Sequence, residues 1–199
     1  MAGGRGYAVI CRRVLALLLV PALAACSAGR DQPAAPTSSR ATVPGPVPGK
    51  FTGFVTPCPA GTQTKFTDLY ISTVVDCAYG DRTKFPKFTS TATINKPLES
   101  QGSPAAAAEA LFRGQKAAVQ GHTAEGVTVE DRPGLGDEAF LLVSYPGNST
   151  VLLVRSANVL IQAGAQVDAD GDRAQEVAAL KALEPQVTEL AEGLLAQLK

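Results

Sequence analysis

The chain has 199 residues, with 18 Lys and Arg set against 18 Asp and Glu, a single His and no Trp. A net charge of zero gives it no electrostatic reason to bind nucleic acid or anionic lipid headgroups. The length suits one folded domain behind a low-complexity N-terminal quarter, and is too short for a two-lobed solute receptor.

Arg5, Arg12 and Arg13 precede a wholly apolar run from Val14 to Val20, which Pro21 interrupts just before Leu23-Ala24-Ala25-Cys26. The run is shorter than the roughly twenty residues that a membrane-spanning helix needs. Two small residues directly before a cysteine resemble the lipobox of bacterial lipoprotein precursors. On that reading residues 1–25 are a signal peptide, and Cys26 is acylated as the mature N-terminus, on the extracytoplasmic face of the cell membrane. An ordinary signal cut after Ala25 is the nearest competitor. It requires a small residue where Leu23 stands. Loss of three arginines with the leader leaves 15 basic against 18 acidic residues, a net charge of −3.

Cys11 leaves with the leader and Cys26 takes the lipid, so Cys58 and Cys77 are the two thiols of the folded part. Outside a reducing compartment they are expected to pair, which stabilises a loop of this size by about 3 kcal/mol. The rival reading, two zinc ligands, lacks a second Cys or His pair at suitable spacing.

Residues 26–50 are rich in Ala, Pro, Ser, Thr and Gly and end in Pro44-Gly45-Pro46-Val47-Pro48-Gly49. With no periodic apolar face they are expected to form a disordered tether, semi-stiff where prolines favour polyproline II. Gly45 to Lys50 has the wrong glycine spacing for a phosphate loop, and Phe51 stands where Ser or Thr would bind magnesium.

Residues 51–199 form the single domain. Leu69 to Tyr79 is β-branched and aromatic and predicts a strand, with Leu69, Ile71, Val75 and Tyr79 on one face. After a turn at Gly80-Asp81, Phe88 to Ile94 alternates apolar or small residues with threonines, as a strand wet on one side does. Ser103-Pro104 opens a helix that Gly121 ends, with Ala108, Leu111, Phe112, Gln115 and Val119 near one side. Val127–Glu130, Ala139–Tyr145, Val151–Arg155 and Val159–Ala165 read as strands joined by short turns, hence an antiparallel meander. Pro146-Gly147-Asn148-Ser149 is one such turn and Ser156-Ala157-Asn158 another. A final helix carries Val177, Leu180, Leu183, Val187, Leu190, Leu194 and Leu198 as one stripe, with Asp172 as its cap. Pro185 is expected to kink or split it, leaving both halves on the same sheet.

No catalytic constellation emerges. Gly134-Leu135-Gly136-Asp137-Glu138-Ala139 matches a dinucleotide fingerprint in letters only, because it follows Arg132-Pro133 and opens into a strand rather than a helix. Asp137 and Glu138 are adjacent on a strand entrance and are expected to point to opposite faces. Asp168-Ala169-Asp170-Gly171-Asp172 has its glycine too early for a calcium loop, and acids before a helix already suit its dipole. His122 follows the helix-ending Gly121 as a solvated side chain. Tyr70, Tyr79, Phe85 and Phe88 cluster around the first hairpin and could line a ligand groove, but with so few aromatics in the chain they are expected in the core.

With these residues placed, the chain resembles small actinobacterial lipoproteins of unknown function with a PsbP-like α+β domain. The matching pieces are the lipobox, the proline-rich tether, Thr56-Pro57-Cys58, Cys77-Ala78-Tyr79, Gly134 to Ala139, and Val154-Arg155-Ser156-Ala157-Asn158-Val159 before the C-terminal helix. The family usually has Trp where Tyr79 stands, and a helix between the two cysteines where this chain is strand-like. The resemblance implies no enzymatic activity. The expected architecture is α+β: an antiparallel sheet, hairpin plus meander, packed against two helices. The expected function is a non-catalytic binding or accessory module without cofactor or metal. It would be membrane-attached through Cys26 and would meet a cell-envelope protein or small ligand. A solute- or lipid-binding receptor and a cell-envelope hydrolase are the alternatives.

Overall fold

A computed structural model describes residues 49–98, 102–121, 126–168 and 172–199. The leader, Cys26, nearly all of the tether, His122 and Asp170 lie outside the described residues. The elements are β1 (Thr62–Asp68), β2 (Ser72–Tyr79), β3 (Lys87–Asn95), α1 (Pro104–Gly121), β4 (Val127–Asp131), β5 (Glu138–Ser144), β6 (Ser149–Ser156), β7 (Val159–Gln166), α2 (Arg173–Ala182) and α3 (Glu184–Leu195).

The strands form one antiparallel sheet in the order β1-β2-β3-β7-β6-β5-β4. Two meanders, one of three strands and one of four, therefore meet along β3 and β7. Their register runs from Lys87↔Gln166 to Ile94↔Val159. The fold is α+β, as the pattern of elements predicts.

Alternation along each strand separates two apolar faces. On one face Leu152, Val154, Ile161 and Val75, all fully buried, meet Val187, Ala191 and Leu194 of α3 and Leu180 of α2. Ala92, Ala139, Ala163 and Ala165 keep that face low where the helix lies on it. On the other, Phe140, Leu153 and Leu160 meet Ala108 and Phe112 of α1, with the Phe112 and Phe140 rings edge to face at 5.4 Å. Each fully buried large aliphatic contributes about 1.5–3 kcal/mol relative to exposure.

Local chemistry explains the helix ends. Ser103 Oγ accepts from Ala106 N and opens α1 ahead of Pro104. Asp172 Oδ1 accepts from Ala174 N and Gln175 N at 2.9 and 3.0 Å and caps α2. Pro185 splits the C-terminal run: Leu183 ends α2 and caps α3, and both halves stay on one face of the sheet. The buried Thr150 hydroxyl donates to Leu180 O at 2.8 Å, beside the Leu183 N–H that bonds the same carbonyl at the break.

The first hairpin differs from expectation. Strand β2 begins only at Ser72, and Leu69, Tyr70 and Ile71 form an exposed turn after β1. Strand β1 itself, Thr-Gln-Thr-Lys-Phe-Thr-Asp, is an edge strand exposed along almost its whole length. It has no apolar face to betray it in sequence. Among the described residues no helix is long and apolar enough to cross a membrane.

Candidate functional site

Cys58 and Cys77 form a disulfide with their Cα atoms 5.7 Å apart. It fastens the segment preceding β1 to strand β2. That segment, residues 49–58, runs along the end of α3. Thr52 N donates to Lys199 O at 2.7 Å, Lys199 N to Gly53 O at 3.0 Å, and Val55 N to Gln197 O at 2.7 Å. Phe54 inserts into the core beside them.

The upstream end of this strap is held by Asn158, fully buried in the β6–β7 turn. Its Oδ1 accepts from Phe51 N, and its Nδ2 donates to Phe51 O and Asn95 O, each at 2.9 Å. Its own carbonyl accepts from Asn95 N at 2.9 Å. Gly49 lies so close that a Cβ there would sit 2.4 Å from Asn158 Nδ2. The sequence marks Asn158 as a turn residue, and nothing near it in the chain reveals that it clamps residues 49–51.

The Gly134–Ala139 stretch is a turn, with positive φ at Gly134 and Gly136, that enters β5 at Glu138. The expectation for the two acids is corrected: both converge on Arg155. Asp137 Oδ2 lies 3.1 Å from Arg155 Nη1 and accepts from Ala157 N at 2.7 Å, while Glu138 Oε2 lies 3.0 Å from Arg155 Nε. Alternation begins only with β5 at Glu138. Asp137 still lies in the loop, whose positive-φ Gly136 swings it back onto the β6–β7 turn. Two of the short motifs picked out in the sequence are thus the two halves of one clasp.

Around this clasp a groove of about 370 Å³ is lined by Phe112, Lys116, Asp131, Arg132 and Leu135. Its charges are engaged in ion pairs, within the lining or with residues beside it. Lys116 pairs with Asp131 at 2.5 Å, and Arg132 bridges Glu130 and Glu184 at 3.0 and 2.6 Å. A second open groove, of about 480 Å³, lies by the β1–β3 end of the sheet. Thr64, Asp76, Arg82, Lys87, Thr89 and Thr91 line it. There Thr91 Oγ1 donates to Asp76 Oδ1 at 2.7 Å and Thr64 Oγ1 to Asp76 O at 3.1 Å. Hydroxyls beside two cationic side chains suit a polar, hydroxyl-bearing or anionic ligand.

The aromatic cluster divides. Tyr79 is buried and shares a 2.9 Å hydrogen bond with Ser90 Oγ. Burial pushes its phenol above the usual range, and the bond to Ser90 offsets part of that. Phe88 packs at the core margin, whereas Tyr70 and Phe85 are exposed, correcting the expectation that all four are core. Asp172 spends its carboxylate on the α2 cap. Among the described residues no group of three or more His, Cys, Asp or Glu could hold a metal ion.

No protein family, curated protein or solved structure matches this chain.

Proposed function

We propose that this chain is a lipid-anchored extracytoplasmic lipoprotein whose domain is a non-catalytic binding or accessory module at the cell membrane. The observation that carries the reading is Leu23-Ala24-Ala25-Cys26 at the end of a short apolar run behind three arginines. The Cys58–Cys77 disulfide supports it, because such bonds persist in oxidising compartments. The non-catalytic part is supported by the use of charge: Arg155, Asp137, Glu138, Lys116, Asp131 and Arg132 are paired into structural bridges. The resemblance to small actinobacterial lipoproteins with a PsbP-like domain belongs to the same proposal.

The ligand surface we propose is the threonine-lined groove beside Asp76, Arg82 and Lys87. Two acyl chains, at about 0.8 kcal/mol per buried methylene, would hold the protein on its membrane almost permanently. Fractionation of the native host tests the attachment. The chain is expected in the membrane fraction and in the detergent phase of a phase partition. The Cys26→Ser variant is expected to lose the acyl-dependent partitioning. A chain that partitions identically with and without Cys26 overturns the reading.

A further inference from the structure

The β1–β2 turn carries three consecutive large apolar side chains into solvent: Leu69 at 48 %, Tyr70 at 83 % and Ile71 at 50 % exposure, with Phe66 exposed nearby on β1. Consecutive exposed residues of this kind gain nothing from folding and mark a contact surface. The turn is also held in place. Leu69 N donates to Ser72 O at 2.8 Å, and Lys96 N donates to Ile71 O at 3.0 Å. Lys96 Nζ donates to Leu69 O at 2.8 Å and pairs with Asp68 at 2.6 Å. Several of the tip's backbone groups thus have partners within the protein, which lowers the cost of taking the tip out of water. The charges at its base neutralise each other.

Its position selects the occupant. Asn95 ends β3 and Lys96 is the residue that follows it. Asn95 binds Asn158, which holds Phe51 and abuts Gly49, where the upstream chain joins the domain. Lys96 binds Leu69 and Ile71. The point of chain entry and the apolar tip are therefore at the same end of the sheet, held by adjacent residues where β3 ends. From Cys26 to Gly49 the chain is long enough, at about 3 Å per residue if extended, to let that end meet the surface in which Cys26 is anchored. Leucine and isoleucine suit the acyl boundary, and a tyrosine ring suits the headgroup region.

We infer that the Leu69-Tyr70-Ile71 turn is a second membrane contact, dipping into the lipid interface and orienting the domain on its anchor. This rests on the proposed acylation of Cys26. Tryptophan is absent from the chain, so Tyr70→Trp places a sole reporter at the tip and Leu111→Trp places one on the exposed side of α1. Each exported chain is purified from its host and reconstituted into phosphatidylcholine–phosphatidylglycerol vesicles with brominated acyl chains. Acylation is read by mass on the same samples. The tip tryptophan is expected to shift blue and be quenched by bromine, and the α1 tryptophan to remain unquenched. Adding Leu69→Ser and Ile71→Ser should lower the docked fraction about tenfold or more, as losing large apolar contacts from lipid implies. Should no acyl mass be found, the anchoring reading falls by itself. The tip is then read from the same chain held on nickel-chelating vesicles by a histidine tag following residue 26. A tip tryptophan unquenched under attachment overturns the inference, whether it stays in water or shifts blue against a second copy. Equal quenching at Leu111→Trp overturns it too.

Discussion

The side chain of Asn158 and the backbone of Phe51 exchange two hydrogen bonds, 2.9 Å each, across 107 positions of sequence. A third bond from the same amide reaches Asn95 O. One buried side chain thus joins the entering chain to the end of β3. Asn158→Ala removes all three bonds, each contributing roughly 1 kcal/mol, and leaves buried backbone groups without partners. We expect a loss of about 3 kcal/mol or more in urea unfolding, together with faster proteolysis between residues 49 and 58.

The disulfide closes a sequence separation of 19 residues. Restricting the unfolded chain over that loop is worth about 3 kcal/mol on the chain-entropy relation. The Cys58→Ser/Cys77→Ser double variant is expected to unfold at a correspondingly lower denaturant midpoint. Since the strap it holds covers the end of α3, amide exchange at Val187 and Ala191 should accelerate more than at Phe112 on the opposite face.

At Gly136, φ is +62° and a Cβ would approach Arg155 O to 2.4 Å. Both backbone strain and the clash oppose any side chain, so Gly136→Ala is expected to cost about 1–3 kcal/mol or more. Arg155→Ala removes the partly buried cation that Asp137 and Glu138 share and should cost about 1.5–3 kcal/mol. Thermal melts of both variants check this. A pairwise cycle between Arg155→Ala and Asp137→Asn should be non-additive.

Tyr79 gives a pH signature. Its folded-state pKa is raised by burial, so its contribution to stability is fully present below the ordinary tyrosine value near 10. That contribution is lost as pH rises through the higher folded value. In a spectrophotometric titration Tyr79 is expected to ionise above the ordinary tyrosine value, with or after alkaline unfolding. Tyr79→Phe should delete that late component while leaving Ser90 Oγ without its partner, at a cost of about 1 kcal/mol. Asp68 is shifted the other way, held low first by its bond to Lys96 and then by Thr73. Its stabilisation is present above the unfolded value near 4 and fades as pH falls through the lower folded one.

What the sequence made legible was local. Ser103-Pro104, the threonine alternation of β3, the turn at Asn148 and the break at Pro185 each carry their cause within a few residues. Strand β1 escaped because an edge strand with polar residues on both sides has no period-two contrast. Leu69 to Ile71 mimicked a strand because exposed apolar residues in a turn have the composition of buried ones. The β3–β7 pairing, the strap held by Asn158 and the convergence of Asp137 and Glu138 on Arg155 are non-local. Spacing within one segment carries no trace of them. The short motifs around Gly136 and Arg155 stood out in the sequence, and their meaning appeared only when the fold brought them within 3.1 Å of each other.

Intact-mass and N-terminal peptide spectrometry of the protein isolated from its own host bears most directly on the central proposal. The expected result is a first residue of Cys26 carrying two or three fatty acyl groups, with residues 58 and 77 oxidised to one another. A mature chain that starts at Cys26 with no added acyl mass would contradict it, and so would one that still bears residues 1–25.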